Sequence, residues 1–223
     1  MKHVPRRVVD SDSSELLADP VGFWDQRHAA FDPWRSGGDR GLTVAENQEF
    51  YARRLGLILD LLGRHTCGER SLRILDAGCG RGHLSAALRS CGHMVDGIDS
   101  SISAIEWAQR THGGNFECVE LCDFRPRVLY DVVICMDVLF HLLADTAWRN
   151  ALSSFAHYTR AEALLILSDS FGDESFVQGN YIVHRDRVAY DDRLRACDFG
   201  FVELMPYRFG SNPNQFAAYV RKG

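Results

Sequence analysis

The sequence predicts an α/β fold: a doubly wound, mostly parallel sheet of seven strands that ends in an antiparallel hairpin and is preceded by helices. Two observations predict it. From position 72 onward, short apolar runs alternate with segments of helical period, the pattern left by parallel strands joined through crossover helices. The first of those runs passes into its helix through a glycine-spaced turn, Asp76-Ala77-Gly78-Cys79-Gly80-Arg81-Gly82. A length of 223 residues suits one well-buried core with an appended segment and is short for two.

Three stretches follow from composition. Residues 1–19 are polar, with Asp10-Ser11-Asp12-Ser13-Ser14 and the basic Lys2, Arg6 and Arg7, and read as a flexible, solvated tail. Residues 20–66 read as helices: one opened by Pro20, carrying Phe23, Trp24, Arg27, His28 and Phe31 and limited by Pro33, and a longer one over 44–62 that Gly63 stops. Residues 67–223 hold the sheet. Its strands are expected at 73–76, 94–98, 116–119, 132–136, 163–167, 201–205 and 216–221. Helices are expected at 82–90, after a cap at Ser100 or Ser101, at 146–158 and at 187–197. A polar, Gly-containing insertion near 168–190 reads as a loop.

The turn sets the chemistry. Gly tolerates the positive φ angles of a tight strand-to-helix turn and lets backbone approach a ligand closely. A dinucleotide fingerprint, G-x-G-x-x-G, would need a third glycine where His83 stands, and the leading Asp76 would repel a pyrophosphate. An aminoacyl group carrying an ammonium is the better guest. On these residues the chain resembles the class I S-adenosylmethionine-dependent methyltransferases, whose first motif has this D-x-G-x-G-x-G spacing. The resemblance implies a Rossmann-like methyltransferase fold, with the last two strands as its antiparallel edge hairpin. It also implies that Asp76, Gly78, Cys79, Gly80 and Gly82 cradle S-adenosyl-L-methionine.

Further residues follow from topology and from the resemblance together. Asp99 ends the second strand about 20 residues beyond the turn, where a carboxylate accepts from both ribose hydroxyls, with Ser100 beside it. Asp123 and Phe124 follow the third strand, where an acid can accept from the adenine amino group and the ring can pack on the base. Ordinary turn chemistry is the alternative for that Asp. Cys135 and Met136 close the fourth strand beside the methionine part. His141, a few residues on, is the candidate general base, against a role tying down the following loop, and His184 in the insertion is the runner-up with Asp169. Trp24, Tyr51 and Arg54 on the N-terminal helices would form a lid, the aromatic faces meeting a sulfonium and the Arg a carboxylate. A helix pair that only covers the sheet is the alternative. Asp137 with Asp169 makes a poor metal pair, and no metal is expected. The Gly pair that often precedes the family's fifth strand is replaced by Arg160-Ala161-Glu162-Ala163, which reshapes that turn.

Charge and composition bound the partners. A net charge of −5 with scattered basic residues gives no footprint for nucleic acid. The seven cysteines show no C-x-x-C pair, which favours a reducing, cytoplasmic setting, and no apolar run approaches a membrane span. The expected function is methyl transfer to oxygen or nitrogen of a small metabolite, sugar or natural-product intermediate, by a monomer or homodimer. The alternatives are a non-catalytic S-adenosylmethionine-binding regulatory module and a protein methyltransferase.

Overall fold

The computed structural model describes the backbone of residues 7–8 and the whole of residues 17–66, 71–210 and 212–223. The serine-rich run at 10–14, Lys2, Arg6, Cys67 and Ser211 lie outside the described residues. Ten strands and seven helices appear among those described. The main sheet contains β2 (Arg73–Ala77), β3 (Met94–Asp99), β4 (Asn115–Cys118), β5 (Tyr130–Cys135), β6 (Thr159–Asp169), β9 (Phe199–Pro206) and β10 (Gln215–Arg221). Their order is β4-β3-β2-β5-β6-β10-β9. The first five are parallel, and β10 runs antiparallel to both neighbours. This is the Rossmann-like methyltransferase architecture that the sequence predicts. Because β2 has β3 on one side and β5 on the other, the chain reverses its direction of winding there and opens a crevice at the carboxyl end of β2.

Both faces of the sheet are covered, which is why the parallel strands read as continuous apolar runs. Leu75, Val133, Leu165 and Ala217 face α6 (Asp145–Tyr158) and α7 (Arg187–Arg195), packing with Trp148, Leu152, Phe155 and Leu194. Their chain neighbours Ile74, Val132, Leu164, Ile166 and Ala218 face the other way, toward α3 (Val44–His65) and α4 (His83–Ser90) through Ile58, Leu61, Leu62 and Leu88. A smaller cluster joins α5 (Ile102–His112) to β4 through Ile105, Ala108 and Phe116. No helix among the described residues is long and apolar enough to cross a membrane.

Five expectations need correction. Gly63 does not stop α3, which runs on to His65 and ends at Thr66; burial of Leu61 and Leu62 outweighs a mid-helix glycine's cost of about 1 kcal/mol. Pro33 does more than limit α1 (Pro20–Ala30). It opens α2 (Pro33–Ser36), where Asp32 caps the amide of Trp34 at 2.9 Å. Strand β6 begins directly after α6, and Glu162 at φ 63° absorbs the altered turn as a register shift against β5. The insertion is a hairpin, β7 (Phe176–Gln178) and β8 (Ile182–His184), and Arg7–Val8, expected in a loose tail, pairs with β7 as the antiparallel strand β1.

Candidate functional site

The crevice at the tip of β2 is a partly enclosed cleft, walled by the glycine turn, the carboxyl ends of β3 and β5, α1, α3 and Gly37 between those helices. Gly78 and Cys79 both donate from their amides to the carbonyl of Ile98, at 2.8 and 2.9 Å, which staples the turn to β3. Gly78 sits at φ 82°, and an added Cβ there would also lie 2.2 Å from Cγ2 of Val138. Asp76 beneath the turn is 2 % exposed and accepts from Ser85 Oγ at 2.5 Å. Burial pushes its pKa up to about 6, with the Ser85 hydrogen bond pulling down and the charge of Asp99 pushing further up. Asp99 accepts from the amides of Gly80 (2.8 Å) and Ser101 (2.9 Å), and burial raises its pKa as well. Two carboxylates therefore border one small cavity, a place suited to cationic and hydroxyl donors.

The N-terminal helices close the other side. Asp25 of α1 accepts from Ser101 Oγ and the Ser103 amide, both at 2.8 Å, and so ties α1 to α5. Arg81 donates to the carbonyl of His28, and His83 stacks on Trp34 with ring centroids 4.0 Å apart while donating to the Pro33 carbonyl at 3.2 Å. These clamps bring Trp24, His28, Tyr51 and Arg54 to the cleft wall. Arg54 is 2 % exposed, pairs through Nη1 with Asp137 at 2.5 Å, and leaves Nε and Nη2 without a hydrogen-bond partner among the described residues. His141 directs Nδ1 at the carbonyl of Tyr181, at 2.8 Å. A carbonyl only accepts, so the proton sits on Nδ1 and Nε2 is an acceptor. Burial pushes this imidazole down to about 4, so it is neutral near pH 7, between the rings of Trp24 (4.5 Å) and Tyr181 (5.7 Å).

Residues 45–198 match the methyltransferase domain family, which is more than half of the chain. The chain belongs to that family. Among curated relatives, a ubiquinone biosynthesis O-methyltransferase of Rickettsia canadensis is 32 % identical over 114 residues, covering 49 % of this chain and 47 % of that protein. A malonyl-[acyl-carrier protein] O-methyltransferase of Bacillus anthracis is 27 % identical over 124 residues, covering 53 % and 45 %. The chain thus spans about half the length of the curated relatives it matches. Similar solved folds include the magnesium protoporphyrin IX methyltransferase of Synechocystis with bound SAM, at TM-score 0.69 and 22 % identity, covering 92 % of this chain and 99 % of that one. The 1,6-didemethyltoxoflavin-N1-methyltransferase of Burkholderia thailandensis aligns at TM-score 0.68 and 18 % identity, covering 98 % and 95 %.

In this methyltransferase domain the sequence-predicted residues divide into two sets. Trp24, Tyr51, Arg54, Asp76, Gly78, Cys79, Gly80, Asp99, Ser100, Met136 and His141 share the cleft. The others do not line it. Gly82 packs under the ring of Phe116, where a Cβ would meet Cζ at 2.6 Å. Phe124 turns into the core against Tyr158, centroids 5.3 Å apart, while Asp123 is exposed on a turn bonded to Glu120. Cys135 is fully buried beneath the strand tip. His184 is buried with Nδ1 on the Asp169 carboxylate, which also accepts from Tyr190 at 2.6 Å, so both groups fasten the insertion hairpin and α7 to β6. The Asp137 and Asp169 carboxylates are each engaged by protein donors. Asp137 and Val138 line the cleft, within the 135–141 segment that the sequence places beside the methionine part. Sequence reading missed Asp25, Arg81 and His83 as clamps. The only local signal was that all three fall within a few positions of a predicted site residue.

Burial also fixes how stability responds to acid. His28, His83 and His141 are all pushed down to about 4, chiefly by burial, whereas an unfolded imidazole takes its proton near 6.5. The unfolded chain binds more protons between those values, so this stabilisation is complete above about pH 6.5 and is lost as pH falls toward 4. Asp76, raised to about 6, works in the opposite sense: its contribution is lost as pH rises from about 4 to 6. With five imidazoles pushed down, His93 and His112 besides these three, against two carboxylates pushed up, Asp76 and Asp99, Tm should fall on acidification from about pH 7 to about 5. Scanning calorimetry checks this, and a flat or rising Tm across that interval contradicts it.

Proposed function

We propose that this chain is an S-adenosylmethionine-dependent methyltransferase that transfers a methyl group to an oxygen or nitrogen of a small-molecule acceptor. One observation carries the reading. The acid-led glycine turn, the Asp99 carboxylate and a buried Arg54, two of whose nitrogens have no hydrogen-bond partner among the described residues, all line one cleft. These donors and acceptors fit the ligand end by end. Asp76 faces an ammonium, Arg54 a carboxylate and Asp99 a pair of ribose hydroxyls, and Trp24 and Tyr51 offer aromatic faces to a sulfonium. When bound, that sulfonium supplies a methyl carbon with an already activated leaving group.

The chain's own task is then alignment, which can lower a barrier by roughly 7–11 kcal/mol, more than a single base contributes. His141 lines the cleft with its Nε2 lone pair free among the described residues. It orients the O–H or N–H of the acceptor and receives that proton as the bond to carbon forms. The burial that keeps it neutral also makes it a weak base, so orientation is the larger part of its role. Enclosure by α1 favours a small acceptor over a protein chain or nucleic acid, and the O-methyltransferase names of curated relatives favour oxygen. A cytoplasmic enzyme acting as a monomer or homodimer completes the reading.

Calorimetry with S-adenosylhomocysteine tests the binding half; folded protein that binds neither this nor S-adenosylmethionine overturns the proposal. Turnover against a panel of hydroxylated and aminated small molecules tests the catalytic half and separates an enzyme from a regulatory module. For a hydroxyl acceptor, His141→Gln should lower kcat by roughly 100-fold and shift the Kd for S-adenosylhomocysteine by less than about threefold. Equal losses in both would make His141 a structural residue.

A further inference from the structure

Asp137, the residue after Met136 at the end of β5, has an unusual backbone and an unusual set of partners. Its φ is 58°, in the left-handed region that a residue with a side chain occupies only when its surroundings hold it there. Ser168 Oγ donates to its carboxylate at 2.9 Å and accepts from its amide at 2.6 Å, and the hydroxyl of Tyr207 donates to the same carboxylate oxygen at 3.0 Å. Its other oxygen accepts from Nη1 of Arg54. Residues from α3, from β6 and from just past β9 thus converge on one carboxylate.

The consequence falls on Arg54. This guanidinium is buried, with Cζ 4.3 Å above the ring of Phe50 and 4.2 Å above that of Tyr51. Arginine and a carboxylate usually pair through two parallel hydrogen bonds. Here Ser168 and Tyr207 occupy one oxygen of Asp137, so only Nη1 of Arg54 is engaged. The Nε and Nη2 edge, the planar fork that matches a second carboxylate, makes no well-aligned hydrogen bond among the described residues and is withdrawn from water, with the Tyr51 side chain as no more than a weak polar partner of the guanidinium. A buried donor left in that state is costly, and the cost is relieved by an anion that binds there. The charge of Arg54 also reaches Asp76, on which it acts to lower the pKa. One cleft therefore carries an acid for an ammonium and an open cationic edge for a carboxylate, the two ends of an α-amino acid.

We infer that Asp137, held by Ser168 and Tyr207, is a positioning residue that turns the open edge of Arg54 toward the carboxylate of an aminoacyl ligand. This rests on the reading that the cleft takes S-adenosylmethionine, and adds the group that orients recognition of its amino-acid end. Asp137→Asn is the direct test. Asn tolerates the left-handed backbone and keeps an oxygen for Ser168 and Tyr207, while its amide nitrogen replaces the charge that faces Arg54.

Two probes separate positioning from general damage to the cleft: S-adenosylhomocysteine, and methylthioadenosine, which lacks the amino-acid end. In calorimetry on the full chain, Asp137→Asn should weaken S-adenosylhomocysteine roughly 10- to 30-fold and methylthioadenosine less than about threefold. Unchanged binding of S-adenosylhomocysteine, or parallel loss of both probes, overturns the inference and leaves the proposed function standing. Wild-type protein that binds neither probe overturns both. If Asp137→Asn does not fold, Tyr207→Phe carries the test, since it removes one hydrogen bond to Asp137 and keeps the ring in the core. Its expected effect is a loss of about threefold confined to S-adenosylhomocysteine, and an equal loss for the two probes counts against the inference.

Discussion

Asp99→Ala is expected to weaken S-adenosylhomocysteine binding by roughly 100-fold, about 3 kcal/mol, with the fold retained. The reason lies in how the carboxylate is held at the cleft wall. Its two oxygens take the amides of Gly80 and Ser101, so the group is fixed in place before any ligand arrives. The remaining lone pairs border the cleft, where two ribose hydroxyls would each give a charge-assisted bond. Stability should change far less than affinity, because two effects oppose each other. Removal of a carboxylate whose pKa burial has raised is favourable, and the loss of acceptors for two backbone amides is unfavourable. Calorimetric titration and thermal melting of the same variant distinguish the cases. A change of affinity below about threefold would mean that the ribose is held elsewhere.

Such a prediction was available from sequence because the residues concerned are set by local geometry. Strands β2, β3 and β5 are buried on both faces and so read as apolar runs, and the residue that ends a parallel strand must lie at the ligand edge of the sheet. Orientation past that edge is a different matter. Asp123 and Phe124 follow β4 as expected, but the turn from Glu120 to Phe124 rotates the ring into the core against Tyr158. His141 and His184 look alike in sequence, and the difference arises 15 residues from His184, where Asp169 takes its Nδ1. Arg54 and Asp137 are 83 positions apart, with no pattern in either segment announcing the pair. The insertion hairpin was hidden for a similar reason, since its strands are three residues long and one edge is completed by residues 7–8. What sequence conveys is periodicity and spacing; side-chain direction beyond a strand tip depends on distant partners.

Gly78→Ala should destabilise the protein by about 3–5 kcal/mol and abolish measurable cofactor binding, and it tests the turn more severely than any charge replacement. Two costs combine. At φ 82° an alanine pays for a left-handed backbone, about 1–2 kcal/mol. Its Cβ would also sit 2.2 Å from Cγ2 of Val138 and 3.1 Å from that residue's Cβ and Cγ1. Valine is β-branched and has few alternative rotamers, so the backbone must yield instead, and the segment that would move includes Asp137 and the cleft wall. The two costs can be separated. Gly92 lies at φ 95° with nothing within 4 Å of an added Cβ, so Gly92→Ala reports the backbone cost alone. Adding Val138→Ala to Gly78→Ala removes the two methyl carbons of the clash and should restore part of the stability, leaving a residual loss close to that of Gly92→Ala. If urea denaturation instead shows Gly78→Ala no worse than Gly92→Ala, the close approach of Val138 to the turn does not constrain it, and the glycine at this position answers to backbone angle alone.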